Sequence, residues 1–331
     1  MSRFLTRAAI LLFIGLAHAY LFWQGDILVS YALCGMIVYP FRRLPLRTLM
    51  VLGLLVMLPS VWFARGESAH LAKARNAAQR VETAAQNGET SDANLFLAEE
   101  WDGSHTSAGI EEDIRTYRQG SYFQLARNRA PSALAVETTM FGKNFIWTVS
   151  GRMLLGMALM KLGVFSAQLS LRFYMTLAIL GYGLGLPVVG WGAYQLVEKD
   201  FDVVCILGGG AKFNDFGSLL VAVGHVGTVI SIYKTGLATW LMRCLAAVGR
   251  IALSNYLMQS VICTTLFYGY GFALFGTLDR VHLLGVVVAV WILQLSYSLT
   301  WLKHFRFGPV EWLWRSLTYG KAQPMWNALA A

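Results

Sequence analysis

In the stretch "RAAILLFIGLAHAYLFWQGDIL", Arg7 to Leu28, an apolar run holds a histidine, His18, and gives way to an aspartate, Asp26. An imidazole titrates near neutral pH, and a nearby carboxylate can orient it and raise its basicity, which is the pairing that proton-transfer chemistry uses. Arg7 and His18 are eleven residues apart, so at about 100° per residue both return to nearly one helix face. His18 then sits roughly 15 Å beyond Ala8 along the axis. Each residue also has a structural role open to it: Asp26 as N-cap of the next helix, and His18 as a hydrogen-bonding partner of a neighbouring helix. Ionisable groups at membrane depth nevertheless point first to function.

Arg152, in "VSGRMLLGMALMK", lies near the middle of another apolar segment. Placing a charge at the bilayer centre costs about 2.5–3.5 kcal/mol even on the lenient insertion scale, so Arg152 should face a cavity, an anionic ligand or a buried partner. Arg250 opens "GRIALSNYLMQS", with Asn255 and Gln259 one turn apart further in. Arg250 reads as an anion-binding group or an interfacial anchor, and the two amides as ligand groups or as interhelical hydrogen-bonding glue. The four cysteines lie far apart with no C-x-x-C, so neither a disulfide framework nor a metal site is expected. "GYGLGLP" and "LGGGAKF" lack the Gly-Lys-[Ser/Thr] of a phosphate loop and read as bends.

These residues must be positioned by membrane helices. The 331 residues are 56% hydrophobic and 14% charged, against about a quarter charged in soluble domains. The charge is concentrated in one central stretch, which predicts an all-α, polytopic membrane protein with one solvated insertion. Eight apolar segments fit the length of a span: Ala8–Gln24, Ile27–Phe41, Thr48–Ala64, Met140–Leu162, Phe173–Tyr194, Gly217–Tyr233, Leu245–Tyr268 and Val281–Leu302. The second is short and the sixth is rich in small residues, so seven is the alternative count. Residues 1–64 would hold three spans, 65–139 a polar, mostly helical extracytoplasmic insertion, and 140–302 five spans. Residues 303–331 would form a cytoplasmic tail, in which "VEWLWRSL" is an amphipathic interfacial segment with Glu311 and Arg315 at i, i+4.

The net charge of +9 is dispersed in small groups between apolar segments, which argues against nucleic acid as a partner and for topology signals. Arg3, Arg7, Arg42, Arg43, Arg47, Lys161, Arg172, Lys234, Arg243, Lys303 and Arg306 fall on one side. The opposite short connections hold only Lys199, Lys212 and Arg280. The bias predicts both termini in the cytoplasm, and the bilayer as the principal partner. A signal peptide ending near "AHA" is disfavoured, because apolar sequence continues to Trp23 and cleavage would invert the charge bias.

The segments "RFLTRAAILLFIGLAHAYLFWQGDILVSYALCGMIVYPFRR", "YRQGSYFQLARNR", "GRMLLGMALMKLG", "GRIALSNYLMQS" and "FGPVEWLWRSLTYG" resemble, in order, landmarks of the YeiB-like family of bacterial membrane proteins. The resemblance spans nearly the whole chain, although the family's pattern has about two helices before the first landmark, with a Leu-Asp-x-Leu-Arg-Gly type start that is not found here. The family is remotely similar to transmembrane acyltransferases. The resemblance thus implies an inner-membrane enzyme moving an acyl group from cytoplasmic acyl-CoA, a co-substrate and not a bound cofactor, to a small-molecule or glycan acceptor. Glycan acyltransferases carry arginine, ten residues and histidine on one helix, the spacing of Arg7 and His18. If their helix corresponds to one preceding the first landmark here, that match is spacing alone.

On the enzyme reading, His18 and Asp26 form the catalytic pair, and Arg7, Arg152, Arg250, Asn255 and Gln259 bind substrate or donor. Two other classes stay open: a permease for a small anion centred on Arg152, and a non-catalytic assembly protein. The oligomeric state is not legible in the sequence.

Overall fold

The computed structural model describes residues 2–88, 94–105, 107–207 and 211–327, which are helical almost throughout, with no strand among them. In chain order the elements are α1 Ser2–Leu21, α2 Leu28–Val38, α3 Leu46–Asn87, α4 Leu95–His105, α5 Ser107–Gln119, α6 Tyr122–Ala135 and α7 Ile146–Lys161. There follow α8 Leu171–Glu198, the single turn α9 Val203–Cys205, α10 Ala211–Thr235, α11 Thr239–Arg250, α12 Ala252–Phe267, α13 Arg280–His304 and α14 Pro309–Tyr319. Among the described residues, α1, α3, α8, α10 and α13 are long and apolar enough to cross a membrane in one piece.

All eight predicted segments are helical, but three are not single long helices. The second is the 11-residue α2, about 17 Å long. The fourth is the 16-residue α7, about 24 Å long, joined to α6 through a π-helix at Val136–Phe145. The seventh breaks at Ile251, whose backbone leaves the helical region, into α11 and α12. A hydrocarbon core of about 30 Å exceeds each piece taken alone. In the opposite sense, α3 runs past the predicted end of its span to Asn87, where Gly88 closes it in the left-handed conformation.

Local signals account for several boundaries. Ser121 accepts from the Gln124 amide while the Gln124 side chain accepts from the Ser121 N–H, a capping box that starts α6. Ser170 caps α8 in the simpler one-sided way.

The chain forms two compact units. One comprises Met1–Pro40, Ile114–Phe141 and Gly236–Ala331, and the other Phe41–Asp113 and Gly142–Thr235. In the second unit α8 and α10 pack along their lengths. A Cβ on Gly181 would strike the backbone of Gly224, so small residues set this close approach in the way membrane helices pack. In the first unit α1 packs against α2 and α14, and the tail helix α14 meets the start of α12. That contact repairs the break at Ile251. Glu311 Oε1 accepts from the N–H groups of Leu253 (2.7 Å) and Ser254 (3.0 Å), and its other oxygen takes the Ser254 hydroxyl. Glu311 is thus the anionic cap of a helix N-terminus. The predicted partner of Glu311, Arg315, lies instead over the Phe307 ring at 4.5 Å.

Candidate functional site

The first unit brings together three side chains from two helices and a turn. His18 is 2% exposed, on the last turn of α1. Its Nδ1 is 2.8 Å from Asp26 Oδ1, and its Nε2 is 2.8 Å from the hydroxyl of Ser260 on α12. With the carboxylate accepting from Nδ1–H, Nε2 carries the lone pair and accepts the Ser260 proton. The order carboxylate, imidazole, hydroxyl is that of an activated serine nucleophile.

Asp26 bonds both the imidazole and the first turn of α2. Oδ1 also accepts from the Tyr256 hydroxyl at 3.2 Å, and Oδ2 accepts from the Val29 N–H at 2.9 Å in the first turn of α2. The Tyr256 hydroxyl in turn accepts from the Ile27 N–H at 3.3 Å, and its ring lies 5.1 Å from the imidazole. Gly15 makes the approach of α1 to this turn feasible. A Cβ there would stand 2.8 Å from Val29 N and 2.9 Å from Asp26 Oδ2.

The C-terminal end of α1 is held by residues from the stretch expected to be solvated. Arg129 Nη2 donates to the Leu21 carbonyl at 3.0 Å, and the Tyr122 hydroxyl donates to the same oxygen at 2.9 Å. Arg129 is wholly buried, with its guanidinium 5.5 Å from the Tyr268 ring. Helix-end carbonyls carry partial negative charge, and the ring face attracts a cation, so both offset its burial. Nearby on the chain, the Tyr20 hydroxyl donates to Glu137 at 3.2 Å. Burial pushes the Glu137 carboxyl above the usual carboxylate range, the Tyr20 bond opposes this, and the negative charge of Asp26 adds to the rise.

Ser260 lines a pocket of about 560 Å³ within the same unit. Gln259, Cys263 and Thr264 of α12 share the wall with it, together with Trp23, Phe275 and Leu283. Among the described residues no charged side chain lines the pocket. Among the described residues no group of histidines, cysteines and carboxylates is arranged to hold a metal.

Of the residues singled out in the sequence, His18, Asp26 and Gln259 converge here. Asn255 lies one turn earlier on α12, donating to Ser298 Oγ (3.0 Å) and the Val248 carbonyl (3.3 Å). Arg7 lies over the Trp314 ring at 4.6 Å, and the Trp314 indole donates to the Arg7 carbonyl at 2.9 Å. Arg250 reaches the Arg306 carbonyl at 3.4 Å. Arg152 belongs to the second unit, where it pairs with Asp215 (3.3 Å), which also takes Lys212 (3.0 Å). Sequence reasoning missed Ser260. The available signal was the run Tyr256, Ser260, Thr264, which places three hydroxyls on one helix face at four-residue spacing.

An all-helical chain with several spans and a buried polar centre is a multi-pass membrane protein. The comparisons give its family: a family described as "Protein of unknown function (DUF418)" matches residues 159–321. The uncharacterized protein YeiB of Escherichia coli (strain K12) is 30% identical over 344 residues, covering 96% of this chain and 76% of YeiB. The uncharacterized protein YxaH of Bacillus subtilis (strain 168) is 29% identical over 337 residues, covering 97% and 73%. The chain belongs to the YeiB-like family. No solved structure matches it significantly.

Proposed function

We propose that this protein is a membrane-embedded acyltransferase in which Ser260 carries the acyl group between donor and acceptor. The observation that supports the reading is the buried chain Asp26–His18–Ser260, whose serine lines a pocket large enough for a ligand. The Ser260 oxygen attacks the carbonyl carbon of an acyl thioester as its proton passes to His18 Nε2. The carbon–sulfur bond breaks, and His18 returns the proton to the departing thiolate. An acceptor hydroxyl or amine then attacks the Ser260 ester, gives its proton to His18, and leaves with the acyl group as that proton restores the serine. Asp26 holds the ring and stabilises the imidazolium. Backbone N–H groups inside α12 are consumed by the helix, so the oxyanion needs a side-chain donor, and the amide of Gln259 beside Ser260 can supply one.

The donor on this reading is cytoplasmic acyl-CoA, and the acceptor is a small molecule or glycan at the membrane or its outer face. The site is the bacterial inner membrane with both termini cytoplasmic, as the arginine and lysine bias indicates. Among the described residues the pocket wall offers no cation, so the phosphates of a CoA donor stay outside it and fall to arginines elsewhere in the same unit, Arg7 and Arg250 being the candidates. Release of free CoA thiol by purified protein, measured over a panel of acceptors, tests the reading. Ser260→Ala and His18→Ala should each lower turnover by about 10³-fold or more. Turnover undiminished in Ser260→Ala would remove the serine from the mechanism.

A further inference from the structure

We infer that the acyl group handled at Ser260 is a hydrocarbon chain of medium or greater length, about decanoyl upward, and not acetyl. The inference rests on the reading of Ser260 as acyl carrier. Ser260 stands in the wall of a chamber far larger than a two-carbon unit requires, about 560 Å³. On α12 the polar atoms form one strip, Gln259, Ser260, Cys263 and Thr264, where a carbonyl and its oxygen would lie. The rest of the wall is mainly apolar, with Phe267, Leu274, Phe275 and Leu283, and the rings of Tyr256 and Tyr268 add two hydroxyls to it. A phosphate seated there would lose its hydration without a partner of opposite charge among the described residues, which is costly. An alkyl chain fits: it needs no polar partner, and its burial is favourable.

Chain length then has a kinetic signature. A buried methylene contributes about 0.8 kcal/mol, roughly a fourfold gain in kcat/KM at 1.36 kcal/mol per tenfold. From acetyl to decanoyl the gain should exceed about 10²-fold even where only half of the chain is buried.

The experiment is a series of acyl-CoA donors from acetyl to palmitoyl on the purified full chain, with didecanoyl phosphatidylcholine run beside decanoyl-CoA to separate a thioester source from a lipid ester. Cys263→Trp, which fills the chamber one turn from Ser260, is run in parallel. The expected result is a steep rise with chain length in the wild type, and a decanoyl-to-acetyl ratio at least about 30-fold smaller in Cys263→Trp. Either donor source meets the inference. A flat series, with a covalent acyl group found on Ser260, would overturn the chain-length inference and leave the acyl-carrier reading intact. A second measurement does not depend on turnover: Ser260→Ala protein is photo-crosslinked with a diazirine-bearing palmitate ester and the adducts are mapped. Adducts concentrated on Phe267, Leu274 and Phe275, and lost in Cys263→Trp, support a chain-binding chamber. Adducts spread evenly over the apolar surface would overturn it. Turnover of every donor unchanged in Ser260→Ala would instead sink the acyl-carrier reading.

Discussion

At the residue scale, three side chains share one chain of hydrogen bonds, and they differ in what each loses on substitution. Asp26→Asn keeps an acceptor toward Val29 N–H but offers His18 Nδ1 a weaker partner and permits the wrong ring tautomer. Turnover should fall by about 10²-fold or more while the far-ultraviolet circular dichroism stays unchanged. Equal turnover in Asp26→Asn would reduce Asp26 to a helix cap. Ser260→Cys keeps a nucleophile at the same place, and should retain more covalent reactivity toward acylating reagents than Ser260→Ala. His18 and Asp26 were legible in the sequence because both are ionisable groups in an apolar setting only eight residues apart. Ser260 was not, because a hydroxyl in an apolar helix is commonplace and its partner lies 242 residues away. Arg129 was hidden for a related reason. A cation in a polar stretch reads as solvated, and nothing nearby announces that it will be buried against the end of α1.

At the element scale, the site depends on two joints. The first is the approach of α1 to α2, which has no room for a side chain at position 15. Gly15→Val should push the Asp26 turn away from His18 and lower turnover sharply, with helix content by circular dichroism little changed. The second joint is the break between α11 and α12, capped from a distance by Glu311. Glu311→Ala leaves two helix N–H groups and Ser254 without their acceptor, and should cost about 1–2 kcal/mol, read as a lower unfolding temperature in detergent. The long, evenly apolar spans were legible from composition and length alone. The break at Ile251 was not, because the residue that caps α12 comes from a helix that begins more than fifty residues later. In α3 it was continuity that the sequence hid: alanine, leucine and alternating charge read as helix beyond Ala64, but as part of a separate insertion and not as an extension of the span.

At the scale of the whole molecule, each unit has its own polar fastening. In the second, Asp202 caps the single turn α9 through the Cys205 N–H (3.0 Å) and pairs with Arg75 of α3. Burial alone would push the carboxyl upward, but these bonds and the Arg75 charge outweigh that and hold it below its usual range. A depressed folded value means a contribution that is full above the unfolded range and lost as pH falls through the folded one. Wild type should therefore be the more thermostable at neutral pH by comparison with Asp202→Asn, and the difference should close below about pH 4. A difference that widens in acid would contradict the pairing. Topology belongs to this scale too. Fluorescent-protein fusions at the C-terminus should report cytoplasm, and a phosphatase inserted between α3 and α4 should be active outside. The most direct measurement of the central claim is reaction of the purified protein with an alkyl fluorophosphonate, followed by mass-spectrometric mapping of the adduct. The expected result is one adduct on Ser260, absent in Ser260→Ala and formed much more slowly in His18→Ala. An adduct at another residue, or formation at an equal rate without His18, would contradict it.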